Sequence, residues 1–323
     1  MALESIIKMS KLKCNLDKTN HSLFFSLVDY RNNLFTSNDP NKIIEFYDGF
    51  ENRDQLIQWM KERPKGVSYI HEVEGDKEII VVIPTADFDG KYAGECRDNI
   101  FKGLHMVFVE SGGIGDFYFN IAHNINVGIK RAMEYNPKWV VFSGDDMYKI
   151  DSAEMLKEEL MKLDEKKYDV IFTDETEYHS KLNKVIHINF FENLNQLRNS
   201  KWLGFKINKI KRKFGVRYSI LKKRKINDIL FKGITYIDLV AFGIFSAKFA
   251  ETKQGNLFDE IFINNMEDSD LSLSILLTKS RVHKIHFSIG DLIGSSLGIG
   301  IDRSLRSLAS EVYFTYKWEP ILD

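Results

Sequence analysis

The chain has 323 residues and a mass of 37.6 kDa, with 45 Lys and Arg against 46 Asp and Glu and a net charge of −1. Hydrophobic residues at 44% and charged residues at 28% support a packed core, which excludes wholesale disorder and a collagen-like chain and allows one large domain or two ordinary ones. Two cysteines, and no apolar run near the ~18 residues of a membrane span, exclude a disulfide scaffold and a channel. The near-zero charge names no partner. The opening MALESIIKMSKLK lacks the apolar stretch and cleavage site of a secretory signal, so a reducing, cytoplasmic setting is expected.

Residues 1–76 read as a small N-terminal helical appendage. Turn signals (TSNDPN, Tyr47-Asp48-Gly49) surround one helix, NRDQLIQWMKER, with Leu56, Trp59 and Met60 on one face and Pro64 at its end. The pattern then changes. Glu78-IIVVIPT is a β-branched apolar run, the form of a strand buried on both faces. HMVFVESGG repeats that form, and a helical pattern follows across Phe119 to Tyr135. KWVVFSGDDM is a third buried strand ending in acids. Asp151-Ser152-Ala153-Glu154 reads as a capping box that opens a helix with Leu156, Leu160 and Leu163 inside. KYDVIFTDE is a fourth strand. Strands alternating with helices predict an α/β fold, a mostly parallel central sheet flanked by helices. Polar residues collect just past the strand ends, where open α/β sheets place ligands.

Residues 201–232 hold twelve Lys and Arg against one acid, Asp228, interleaved with apolar side chains such as Trp202, Phe205, Ile207 and Phe214. Three readings stay open: a solvated basic surface, attraction to an anionic membrane surface, and nucleic-acid binding, the last without a recognition motif to accompany it. Isolated Cys96 and Cys14 carry no reactive motif, and His105 and His123 read as core histidines.

Two acidic constellations can carry chemistry. Asp145-Asp146 after the third strand can hold a hard divalent ion, and can equally be a solubilising strand end. In Glu267-Asp268-Ser269-Asp270 before LSLSILL, one acid can serve as a general base, and the same acids suit a helix N-terminus. The run from Gly290 to Gly300, followed by Arg303 and Arg306, suits a loop that folds over a diphosphate, and equally a plain connection.

The ordered series VVIPTAD, VFVESGG, NIAHNINVGIKRA, WVVFSGDDM and GIFSAKFAETKQGNLFDEIFINNMEDSDLSL resembles the inverting glycosyltransferases of family 2, over about residues 78–318. The resemblance implies a GT-A (Rossmann-like) fold, with the transferase domain at 77–323 divided into a donor half, 77–180, and an acceptor half, 181–323. It implies transfer of a sugar from a nucleotide-diphosphate sugar to an acceptor hydroxyl, with Asp268 as catalytic base. Pro84, Thr85 and Asp87 would line the nucleotide pocket, Glu110 would face base or ribose, and Asn126 would lie beside the nucleotide. Asp146 and His286 would bind Mn²⁺ or Mg²⁺, Asp145 would contact ribose or a metal-bound water, and Arg303 would face the diphosphate. Gly144 stands where the family's metal motif has its first acid. The acceptor is a glycan, a lipid-linked species or a protein, and peripheral membrane attachment through 201–232 goes with it. Two other readings remain: a catalytically silent nucleotide-sugar or glycan-binding module, and a basic adaptor for a membrane or nucleic-acid surface.

Overall fold

The computed structural model describes residues 30–111, 118–174, 182–183, 201–216, 236–237, 241–278, 280–292 and 300–322. Helical residues 30–35 lead into two helices, α1 (Pro40–Asp48) and α2 (Arg53–Glu62). Asp39 caps α1 on Asn41 N–H and Asn52 caps α2 on Gln55 N–H, which satisfies donors the first turns leave open. Strands β1 (Tyr69–Val73) and β2 (Asp76–Thr85) follow. Then come α3 (Lys91–Glu95), continued by a π-helical turn at Cys96–Ile100, β3 (Leu104–Glu110) and α4 (Ile121–Met133). Next are β4 (Trp139–Ser143), β5 (Met147–Lys149), α5 (Ala153–Met161) and β6 (Val170–Phe172). A two-residue ladder pairs β7 (Leu182–Asn183) with β8 (Tyr236–Ile237), and α6 (Lys201–Lys213) lies between them in sequence. The chain ends with β9 (Phe242–Ser246), α7 (Ala247–Thr252), α8 (Glu267–Leu277), β10 (Val282–Lys284), β11 (Ile289–Asp291) and α9 (Ile301–Leu322).

The fold is α/β. Seven strands form one mixed sheet in the order β1-β3-β2-β4-β9-β6-β10. Strands β2, β3, β4, β6 and β10 run one way, and β1 and β9 run against them. The expected mostly parallel sheet is thus corrected to a mixed one, because β9 inserts antiparallel between β4 and β6. Its entry is close-packed: a Cβ on Gly243 would lie 2.7 Å from the Phe142 ring, so only glycine lets that ring lie over the strand.

Residues on β2 alternate between two cores. Ile79, Val81 and Ile83 pack with Ala93, Cys96, Ile100, Leu156 and Leu160 beneath α3 and α5. Ile80 and Val82 pack with Ala122, Ile125, Ile129, Phe249, Leu271 and Ile275 on the other face. A strand buried on both sides has no polar face to show, which is why it reads as an unbroken apolar run.

Of the expected N-terminal segment 1–76, the described residues 30–76 pack against later parts of the chain. Phe35, Ile43, Phe46, Leu56, Trp59 and Met60 share a third core with Ile207, Phe214, Phe262, Leu308, Val312 and Trp318. The Tyr47 hydroxyl donates to the Leu305 carbonyl at 2.7 Å. A boundary at 76 also splits the β1–β2 connection, since β1 pairs with β3 as the sheet's edge strand. In the basic segment, α6 turns Ile207, Ile210 and Phe214 into this core, and Lys211 makes a buried 3.1 Å ion pair with Glu311. The rest of the basic stretch from 217, Cys14 and the glycine-rich residues 293–299 lie outside the described residues.

Candidate active site

The parallel strands β2, β3 and β4 end at one edge of the sheet, and the predicted site residues of the first half gather there. Thr85 pairs with Glu110 across β2 and β3. Pro84 sits where the β2–β4 ladder has already ended at Val82, so its missing N–H removes no hydrogen bond on that side. The Thr85 hydroxyl donates to Asp145 Oδ2 at 2.8 Å and fixes that buried carboxylate. Asp87 turns into the following loop, where its Oδ1 accepts from Asp89 N–H at 3.1 Å.

At the end of β3, Glu110 Oε2 lies 2.6 Å from His71 Nε2. The His71 ring stacks on Phe88 with centroids 4.3 Å apart, and the Arg97 guanidinium lies 4.8 Å from the same Phe88 ring. No sequence motif marks this cluster. It joins an edge strand, a loop and a helix that are distant along the chain.

Past β4 the backbone is held on both sides. Gly144 N–H donates to the Ala241 carbonyl at 2.7 Å, and Leu292 N–H donates to the Asp146 carbonyl at 2.9 Å. Ala241 is left-handed, at φ 57°. A Cβ on Gly144 would come within 3.3 Å of Asp146 Oδ1, so the glycine makes room for that carboxylate. Strands β5 and β11 pair directly beyond it, with Asp291 opposite Met147. The capping box is shifted by one residue: Ser152 caps α5, and Asp151 instead accepts from Ser288 N–H at 2.7 Å, which holds the β11 segment in place.

The second acidic constellation opens α8, after two left-handed residues, Asn264 at φ 54° and Met266 at φ 69°. Its acids have separate fates. Asp270 accepts from Trp318 Nε1 and Lys317 Nζ, each at 2.9 Å, and Lys317 also reaches Asp259 at 2.7 Å. Asp268 Oδ1 accepts from Ser269 N–H at 2.6 Å, and burial raises its carboxyl above the usual range. Burial, then the neighbouring Asp268 charge, pushes Glu267 up to about 8. Glu267 Oε2 is sealed from solvent without a hydrogen-bond partner among the described residues.

Arg303, in the first turn of α9, connects the two constellations. Burial lowers its proton affinity, and the charges of Glu267, Asp146 and Asp291 act on it in the opposite direction. The charges of the carboxyls past the end of β4 and at the start of α8 thus both act on one guanidinium, though they lie 121 positions apart (267 less 146). Asp291 was not singled out by its sequence pattern, which offered a glycine-rich run and nothing more.

Two expected site residues are placed elsewhere. Asn126 is fully buried: Nδ2 donates to the Phe258 carbonyl at 2.8 Å and to Glu260 Oε1 at 3.0 Å, while Oδ1 accepts from Phe258 N–H. It is a strut between α4 and the loop before α8 and has no exposed polar atom to offer a nucleotide. His286 has a ring 82% exposed, with Nδ1 3.3 Å from Asp174 Oδ2.

The divalent ion expected at Asp146 and His286 thus lacks its assembled donors. Among the described residues no three His, Cys, Asp or Glu side chains are grouped as a metal site, and Asp145 is engaged by Thr85. Cys96 is inert here: burial, then the Asp145 charge, drives its thiol far above the ordinary range, and Sγ donates to the Asp145 carbonyl at 3.4 Å.

No model of a known protein family matches the chain, and no curated protein or solved structure matches it. Among the described residues no helix is long and apolar enough to cross a membrane.

Proposed function

We propose that the chain is an inverting glycosyltransferase with a GT-A-type arrangement, moving a sugar from a nucleotide-diphosphate donor to an acceptor hydroxyl. The observation that supports this reading is electrostatic: the charges of Glu267, from the start of α8, and of Asp146, past the end of β4, both act on Arg303. Asp146 also follows a strand end, where open α/β sheets place ligands.

The chemistry asks for two things. The acceptor hydroxyl loses its proton to Asp268 as its oxygen attacks the anomeric carbon. The bond from that carbon to the diphosphate oxygen breaks on the opposite side, so the centre inverts without a protein nucleophile. A carboxyl raised by burial is a better proton acceptor than an ordinary one, which suits Asp268 to a general-base role. Arg303 meets the charge that develops on the leaving diphosphate. Thr85, Asp87, Asp145 and Glu110 line the nucleotide side, and no step is routed through a metal ion.

The test is release of nucleoside diphosphate from a panel of UDP-, GDP- and dTDP-sugars, with and without Mn²⁺ or Mg²⁺, in the presence of glycan acceptors. Asp268→Asn should abolish transfer while donor still raises the thermal stability of the protein. Full activity in that variant would remove the base assignment. A donor that binds and is never cleaved would favour the silent binding module.

A further inference from the structure

The two-stranded ribbon of β5 and β11 begins directly past Asp146, and its two faces differ. Met147 and Ile289 turn inward and are buried in the core beneath α3 and α5. Tyr148 stands opposite Gly290 across the ladder, and both belong to the outward face, because side chains alternate along each strand and paired residues share a side. Tyr148 is 45% exposed, and Leu292, two residues past Gly290, is 44% exposed. The Leu292 N–H donates to the Asp146 carbonyl at 2.9 Å, which ties this end of the ribbon to the candidate site.

Gly290 shows how the tyrosine ring is held. A Cβ there would lie 2.0 Å from Tyr148 Cζ, and 2.3 and 2.4 Å from its two Cε atoms. Three distances so nearly equal put that position over the face of the ring, since an approach in the ring plane would leave the Cε atoms well behind Cζ. The ring therefore lies flat across the Gly290 α-carbon, and a side chain at 290 would lift it. Covering a cross-strand glycine is stabilising in itself and accounts for one face of the ring. The exposure falls on the opposite face, which is fixed in direction and follows Asp146 by at most about 7 Å of backbone.

A flat ring with one open face suits a particular partner. A pyranose presents a face of C–H groups, whose positive edge complements the negative face of an aromatic ring. Because the ring is already seated, stacking on it costs little side-chain entropy. We propose that the outward face of Tyr148 is a stacking seat for a pyranose, the sugar of a glycan acceptor, with Leu292 as its apolar rim. The acceptor role rests on the transferase reading; the seat itself does not.

The experiment is saturation-transfer NMR of the full chain with the methyl pyranosides of glucose, galactose, mannose and N-acetylglucosamine, without donor. Wild type is compared with Tyr148→Phe, Tyr148→Leu and Gly290→Ala. At least one pyranoside should receive saturation on the C–H groups of one ring face. Tyr148→Phe keeps the flat face and should bind like wild type. Tyr148→Leu still covers Gly290 but has no flat face, and should weaken binding at least about tenfold. Gly290→Ala keeps the tyrosine and unseats it, and should weaken binding as well. No saturation of any pyranoside, or wild-type binding by Tyr148→Leu or by Gly290→Ala, would overturn the seat. In the transfer reaction, Tyr148→Leu should raise the acceptor KM at least about tenfold and leave the donor KM within about twofold. Pyranosides bound through Tyr148 with no nucleotide sugar ever cleaved would remove the transferase reading and leave the seat standing. Transfer to a glycan with an acceptor KM indifferent to Tyr148→Leu would do the reverse.

Discussion

Gly128 offers a direct test of how the helix beside the site is seated. It lies on the buried face of α4, and a Cβ there would stand 2.3 Å from Val82 Cγ1 and 2.9 Å from Val109 Cγ2. Ordinary contacts begin near 3.4 Å, so Gly128→Ala must push α4 off β2 by about 1 Å or rotate two valines that are themselves fully buried. Overpacking of this kind destabilises by about 1–3 kcal/mol, against which the better helix propensity of alanine returns no more than about 1 kcal/mol. Urea unfolding of Gly128→Ala, Val82→Ala and the double variant measures the coupling. The double variant should be at least about 1 kcal/mol more stable than the sum of the single effects predicts, because Val82→Ala removes the atom in the way. A Gly128→Ala protein within about 0.5 kcal/mol of wild type, or strictly additive effects, would refute the close-packing argument.

The buried Lys211–Glu311 pair gives a second prediction: Lys211→Met should cost about 3–5 kcal/mol in urea unfolding by stranding Glu311, and Lys211→Met with Glu311→Leu should recover most of it. Thr85→Val removes the hydroxyl that holds Asp145, and should lower stability by about 1–3 kcal/mol and weaken donor binding in the same variant. Glu260 is held down to about 2, first by its hydrogen bond with His123, so its contribution is present above about pH 4.5 and disappears as pH falls toward about 2. Unfolding titrations of wild type and Glu260→Gln should therefore converge in acid, with a separation of about 1–2 kcal/mol near neutral pH. Glu267 has the opposite sign: its raised carboxyl loses stability as pH climbs from about 4.5 to about 8, so Glu267→Gln should be more stable than wild type near pH 8, by circular-dichroism melting.

The strands that could be read in the sequence are those buried on both faces. β2, β3 and β4 are runs of branched apolar residues with no polar alternation, and each overlaps its expected segment, β2 starting two residues and β3 one residue earlier. β1 was hidden because it is a half-exposed edge strand, YIHEV, with a polar outer face. β9 was hidden because it has five residues, includes Gly243 and runs straight into α7, so its pattern belongs to neither period. The N-terminal helix α2 was visible in its spacing, but what it packs against was not, since its core is completed by α9 some 250 positions later. His286 shows the same limit at the site. Ile285 and Phe287 on either side are both buried, while the His286 ring between them is 82% exposed.

The acidic motifs were legible as positions and illegible as roles, and the difference is set by counter-groups supplied from far along the chain. Asp145 meets the hydroxyl of Thr85, from a neighbouring strand, and Asp270 meets Lys317 and Trp318 near the C-terminus. Each carboxylate is thereby held in place, and neither partner could be recognised from GDDM or EDSD. Asp268 receives the amide of its own first turn, which leaves the carboxyl on the helix N-terminus with its proton affinity raised by burial. Glu267 lies under the charge of Arg303. The acids of these two motifs thus differ in what holds them: side-chain donors hold Asp145 and Asp270, a backbone amide holds Asp268, and Glu267 Oε2 has no donor among the described residues. A short motif records none of this, because a carboxyl's chemistry depends on the donors and charges that the fold brings to it rather than on its neighbours in sequence.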